Sequence, residues 1–174
     1  MSCDGLSPPA SPAQPALPAT ALFQNVIAAI ALGSNLGDRQ AHLDHAASRL
    51  HQLLRSVRVS RYRETVPVGV NGPQRLYLNA AAVGETALSA RELLEALLAI
   101  ERERDRERPF PNAPRTLDVD LILYGDAVID EPGLIVPHPR FRERQFVLEP
   151  LAEIAPTLVD PVSGLTTGEL LERI

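Results

Sequence analysis

Thr116-Leu117-Asp118-Val119-Asp120-Leu121-Ile122-Leu123-Tyr124 repeats with a period of two, which marks a β-strand and excludes the three-to-four spacing of a helix. Asp118 and Asp120 therefore share one face, and Leu117, Val119, Leu121 and Leu123 are expected on the other, against a helix layer. Working upstream, Val26-Ile27-Ala28-Ala29-Ile30-Ala31-Leu32 is a continuous apolar run followed by Gly33-Ser34-Asn35-Leu36-Gly37-Asp38, which predicts a central strand buried on both faces and then a tight turn. From Arg39 the residues Leu43, Ala46, Ala47, Leu50, Leu53 and Leu54 recur at steps of three and four, an amphipathic helix with Asp38 as N-cap. Val57, Val59 and Arg61 alternate with Arg58, Ser60 and Tyr62 as a half-exposed strand. Glu64 to Arg75 holds too many turn formers for a regular element and reads as a binding loop. Leu76 to Val83 reads as a third strand. Ser89 and Glu92 form a capping box at the start of a second helix, whose stripe is Leu93, Leu94, Leu97, Leu98 and Ile100. A second loop, Arg106 to Pro114, leads into the opening stretch.

The order βαββαβ predicts an α+β, ferredoxin-like fold: an antiparallel sheet with both helices on one face, the other face left for ligand or further loops. Gly125 to Ile174 adds short β pieces and two short helices, one around Val147 to Ile154. With 174 residues, 45% hydrophobic and 22% charged, the chain has the size and composition of one globular domain, expected over 25–174. Residues 1–24, rich in Pro and Ala and without a signal-peptide pattern, are expected to be a disordered tail.

All 17 basic residues are arginine. A P-loop lysine, a kinase-type lysine and a Schiff-base lysine are thereby excluded, and any phosphate must be handled by arginine. The net charge of −5 argues against nucleic-acid or anionic-membrane partners and for small ones. A single cysteine, Cys3, leaves neither a disulfide framework nor a cysteine metal site and fits a cytoplasmic location. No apolar run reaches the length of a membrane span.

Asp118 and Asp120, about 7 Å apart on one strand face, repel each other unless a cation sits between them. Oxygen donors of this kind suit Mg²⁺ completed by waters and substrate phosphates. The alternative is a solvent-facing pair on an open sheet. Arg106, Arg108 and Arg115 flank the pair and could clamp polyphosphate, as phosphoryl transfer requires. Arg102 and Arg104 read instead as partners in weak surface pairs with the alternating glutamates. His138, set between Pro137 and Pro139, fits either a fixed turn or a ligand contact. His42, His45 and His51 read as surface residues. Tyr77 and Phe146 fit either the core or a stack on a flat ring.

Five segments in order resemble the 6-hydroxymethyl-7,8-dihydropterin pyrophosphokinase family: Ala31 to Gly37, Thr65 to Gly69, Gln74 with Tyr77 to Ala81, Ala113 to Asp120, and Val136 to His138 followed by Arg144 and Phe146. The resemblance covers about residues 26–160. It implies transfer of the β,γ-diphosphate of ATP to the pterin hydroxymethyl group in a cytoplasmic monomer that uses two Mg²⁺ ions. By position, Asp118 and Asp120 would ligate the metals, with Asp120 also accepting the hydroxyl proton. Arg106, Arg108, Arg115, His138, Arg144 and Glu101 would contact ATP, with Arg106 and Arg115 following the charge as it moves. Asn79 would hydrogen-bond the pterin, Tyr77 and Phe146 would sandwich it, and the backbone of Thr65, Val66, Pro67 and Val68 would read its amide edge. The chain departs from the family pattern at Asp105, where glycine is common, and at Pro111 and Asn112. Residues 163–174 lie outside the resemblance.

Other readings of the same order fit less well. An RNA-binding domain of this topology needs exposed aromatics on its inner strands, and a polymerase-type nucleotidyltransferase keeps its Gly-Ser and Asp-x-Asp close together. A non-catalytic small-molecule sensor is the remaining alternative.

Overall fold

The apolar run at the start of the chain forms β1 (Val26–Ser34), which sits inside a sheet and is buried on both sides. The computed structural model describes residues 25–69, 74–105 and 113–174; the expected tail over 1–24 lies outside them. After β1 come α1 (Arg39–Leu53), β2 (Arg55–Val59), β3 (Arg63–Thr65), β4 (Tyr77–Thr86), α2 (Ala90–Arg102) and β5 (Asp118–Tyr124). The sheet order is β2-β4-β1-β5, every pairing antiparallel, with β3 added at the start of β4. Apart from β3 this is the expected βαββαβ core.

Local chemistry explains the helix boundaries. Asp38 caps α1 by accepting from the Ala41 N–H at 3.0 Å, and Ser89 with Glu92 closes the capping box of α2. Each such cap is worth about 1 kcal/mol. Beyond α2 the chain leaves through Asp105 at φ 53, in the left-handed region that favours glycine and that aspartate tolerates better than most residues.

The helix-side core joins Ile30, Leu32, Leu43, Leu50, Leu93, Leu97, Leu117, Val119 and Leu121. A second core lies on the other side of the sheet, where Ala29, Ala81, Val83, Ile122 and Leu123 meet Phe141, Leu148 and Leu151. The β6 (Ile129–Glu131) and β7 (Leu134–Val136) hairpin sends Leu134 and Val136 into the helix-side core, whereas a 3-10 turn (Phe141–Glu143), α3 (Gln145–Ile154) and α4 (Thr167–Leu171) supply the second layer. Alanines at 29 and 81 let α3 settle close to the sheet. Residues 163–174 are integral to it, since Leu170 and Thr167 are buried and the Thr167 hydroxyl donates to the Ala155 carbonyl.

Three expectations need correction. Leu123 does not join Leu121 on the helix side. The register with β1 shifts between Ala29, paired with Leu123, and Ile30, paired with Leu121, so Ile122 is an extra residue. That bulge turns Leu123 into the second core. The loop expected from Glu64 contains part of a strand, because Arg63–Thr65 pairs with Tyr77–Asn79. Finally, Glu103 and Arg104 find partners outside the Glu-Arg run: Glu103 holds His45 and Arg49 of α1, and Arg104 Nε donates to His42 Nδ1 at 2.8 Å. No described helix is long and apolar enough to cross a membrane.

Candidate active site

The second face of the sheet is covered only in part, and at the uncovered end the register sets residues side by side. Gly33 of β1 lies opposite Asp118 on β5 and opposite Asn79 on β4, and Asn79 in turn lies opposite Arg63 on β3. Residues paired across a sheet point the same way, so Asp118 and Asn79 flank a position with no side chain. A Cβ at Gly33 would stand 3.1 Å from Asn79 Oδ1. Glycine thus leaves a trough between a carboxylate and an amide. One step along, Asp120 faces Ala31, so Asp118 and Asp120 share the face, as the alternation requires.

An open pocket lies over this trough, lined by Gly33, Ala31, Leu32, Thr65, Val66, Val68, Tyr77, Asn79, Arg115, Asp118, Asp120, Arg144, Phe146 and Val147. Ten of the expected site residues are brought together here, from four separate segments. Arg106 and Arg108 lie outside the described residues. Pro67 is half-buried and does not line the pocket although its neighbours do.

Arg115 Nη1 lies 2.5 Å from Asp118 Oδ2. Burial alone would lower the pKa of Arg115, but Asp118, Tyr77 and Asp120 outweigh it, and the guanidinium is held more firmly protonated than usual. Arg144 has its pKa lowered, first by burial and then by Arg140 and Arg115, against the pull of Asp120 and Asp118. Its guanidinium sits 5.6 Å from the centre of the Phe146 ring, a cation–π contact. His138 is held below the usual histidine range by burial and Arg144, with Asp118 acting against them. It does not line the pocket; its backbone N–H donates to the Ile122 carbonyl at 2.9 Å, which docks this segment on β5.

Glu101, 3% exposed, accepts from the Val119 N–H at 2.8 Å. It anchors the strand residue between the two aspartates rather than lining the pocket. Asn79 Nδ2 donates to Thr65 Oγ1 at 2.7 Å, and Tyr77 and Phe146 line the same pocket.

Sequence reading assigns Asn35 no individual part, yet this 1% exposed side chain joins three segments. Its Oδ1 accepts from the Arg115 N–H at 2.8 Å, its own N–H donates to the Arg115 carbonyl at 3.1 Å, and its Nδ2 donates to Gln74 Oε1 at 2.9 Å. An asparagine directly after a buried strand is the only local sign of it.

Two carboxylates beside a fixed arginine suit a hard cation that shares its shell with phosphate oxygens. Among the described residues no group of three or more His, Cys, Asp or Glu side chains could form an all-protein cage.

Comparison with known proteins agrees with this geometry. The model of the 7,8-dihydro-6-hydroxymethylpterin-pyrophosphokinase (HPPK) family matches residues 29–156. The 2-amino-4-hydroxy-6-hydroxymethyldihydropteridine pyrophosphokinase of Bacillus subtilis is 48% identical over 147 residues, covering 83% of this chain and 87% of its own. The protein of the same name from Synechocystis is 42% identical over 148 residues, covering 84% and 75%. The crystal structure of Plasmodium falciparum HPPK-DHPS shares the fold at a TM-score of 0.68 and 14% identity; the match covers 86% of this chain and 45% of that one. The family match, the identities and the shared fold coincide with the segments that build the pocket, and the chain belongs to the 7,8-dihydro-6-hydroxymethylpterin-pyrophosphokinase family.

Proposed function

We propose that the protein transfers the β,γ-diphosphate of ATP to 6-hydroxymethyl-7,8-dihydropterin, releasing AMP, in folate biosynthesis. The observation that carries this reading is one pocket that sets the charged groups Asp118, Asp120, Arg115 and Arg144 beside Tyr77, Asn79 and Phe146. A flat heterocycle fits between aromatic faces, and its hydroxymethyl arm then extends toward the carboxylates.

Asp118 and Asp120 would hold Mg²⁺, two ions in the family pattern, which neutralises the phosphate charge when bound. Arg115, fixed by Asn35 and Asp118, binds the phosphate chain and matches the charge that moves toward the leaving oxygen. Arg144 and His138 support the phosphate chain as well, and Arg106 and Arg108 complete the arginine set. Asp120 takes the hydroxyl proton as the pterin oxygen bonds to the β-phosphorus; the bond from that phosphorus to the α,β-bridging oxygen breaks, and AMP leaves with the electron pair. Asn79 and the backbone of Thr65 to Val68 orient the ring. The protein acts on these small molecules as a cytoplasmic monomer.

Incubating the purified protein with ATP, Mg²⁺ and 6-hydroxymethyl-7,8-dihydropterin, and resolving AMP from ADP, tests this. AMP formed one-for-one with pterin diphosphate is the expected outcome. ADP would assign an ordinary kinase reaction, and nucleotide binding without turnover a sensor.

A further inference from the structure

We infer that Arg63, held by Glu149 and Glu153, is a positioning residue that sets the width of the slot between the Thr65–Val68 segment and Phe146. The inference rests on the pterin-binding reading of that slot. The two walls belong to different layers: Thr65, Val66 and Val68 lie on or just after β3, whereas Phe146 and Val147 belong to α3. β3 has three residues at the end of the sheet and pairs with β4 through three positions only, too few to hold it rigidly by backbone bonds alone.

Side-chain geometry supplies the missing support. Arg63 and Thr65, two apart on a strand, share a face, and Phe146, Glu149 and Glu153 fall on one face of α3 at i, i+3 and i+7. The row that begins as Thr65 and Phe146 across the pocket therefore continues as Arg63 and the two glutamates. Arg63 Nη2 donates to Glu153 Oε2 at 2.8 Å, and its Nη1 lies 3.8 Å from Glu149 Oε2. The other Glu153 oxygen accepts from both the N–H and the Nε of Arg61 at 3.1 Å. One carboxylate thus binds the strand and its approach at three points, and these donors, Arg63 foremost, keep its pKa at about 2.

Neither Arg63 nor Glu153 lines the pocket, so any effect on the ligand acts through the walls. At 38% and 21% side-chain exposure the pair can be removed without leaving a bare charge in the core. The test is titration of Arg63→Gln and Arg63→Lys with 6-hydroxymethyl-7,8-dihydropterin and, separately, with Mg²⁺ and a non-hydrolysable ATP analogue, alongside thermal melting. Arg63→Gln is expected to raise the pterin Kd about three- to fivefold, within the range by which residues that do not touch a ligand modulate its binding, with nucleotide Kd and melting little changed and with Arg63→Lys restoring most of the loss. Unchanged pterin affinity in Arg63→Gln would overturn the inference, as would a parallel fall in nucleotide affinity and melting temperature, which marks a purely structural pair. Failure of the unaltered protein to bind the pterin at all would instead overturn the functional reading beneath it.

Discussion

Two arginine–aspartate pairs in this molecule are nearly equal in length and opposite in use. Arg115 and Asp118 meet at 2.5 Å on the wall of an open pocket, beside a second carboxylate. Arg142 and Asp160 meet at 2.6 and 2.7 Å, with Asp160 wholly buried. The Asp160 oxygens also accept from the Val162 and Ser163 N–H groups and the Ser163 hydroxyl. Its acceptor capacity is filled by its own loop, so it can only hold structure: it ties the C-terminal turn to the 3-10 segment that leads into Arg144 and Phe146. Asp118 borders a space that a ligand can enter. Pair distance says little about a carboxylate's role; the surroundings of its oxygens say most.

The largest expected effect breaks the structural pair. Asp160→Ala leaves Arg142 without its partner and should cost roughly 3–5 kcal/mol of stability, read as a shift in denaturant midpoint, while turnover per folded molecule stays near normal. A stable Asp160→Ala protein with lost activity would reverse the contrast. Next comes the pocket pair. Asp118→Ala should lower turnover about 10²- to 10³-fold, the usual cost of removing one preorganised electrostatic group, with melting nearly unchanged because Asp120 remains beside Arg115. An unfolded variant would make Asp118 a second Asp160.

The smallest effect sharpens the comparison through pH. Burial alone would raise the Asp160 pKa, but Arg142, Ser163 and Val162 outweigh it and hold it at about 2, below the usual 3.8. A carboxylate depressed in the folded state contributes its full stability above the unfolded value and loses it as pH falls toward the folded one. Stability should therefore fall between about pH 4 and about pH 2, and Asp160→Asn should flatten that limb in urea melts taken across it. An equally steep limb in the variant would move the acid sensitivity elsewhere, Glu153 being the next candidate.

Much of the site is legible in the order of residues alone. The alternation through Asp118 and Asp120 places both carboxylates on one face, and the capping box at Ser89 and Glu92 places α2. The motif residues Thr65, Tyr77, Asn79, Arg144 and Phe146 all reach the pocket. Other features are not legible there because they depend on partners distant in the chain. The empty position at Gly33 matters only because Asn79 and Asp118 flank it, and Asn35 is an ordinary turn residue until Arg115, 80 positions away, is laid against it.

The order of elements, the helix caps, the lack of any lysine and the face that carries the carboxylates all follow from composition, spacing and side-chain chemistry within a few residues, and the amino-acid sequence suffices for them. The bulge at Ile122 that turns Leu123 into the second core, the pairing of Arg63–Thr65 as a strand, and the brace of Arg63 and Glu153 between the two pocket walls belong to the assembled fold. Register and long-range ion pairs are selected by the packing of whole layers, and no local pattern records which neighbour that packing will choose.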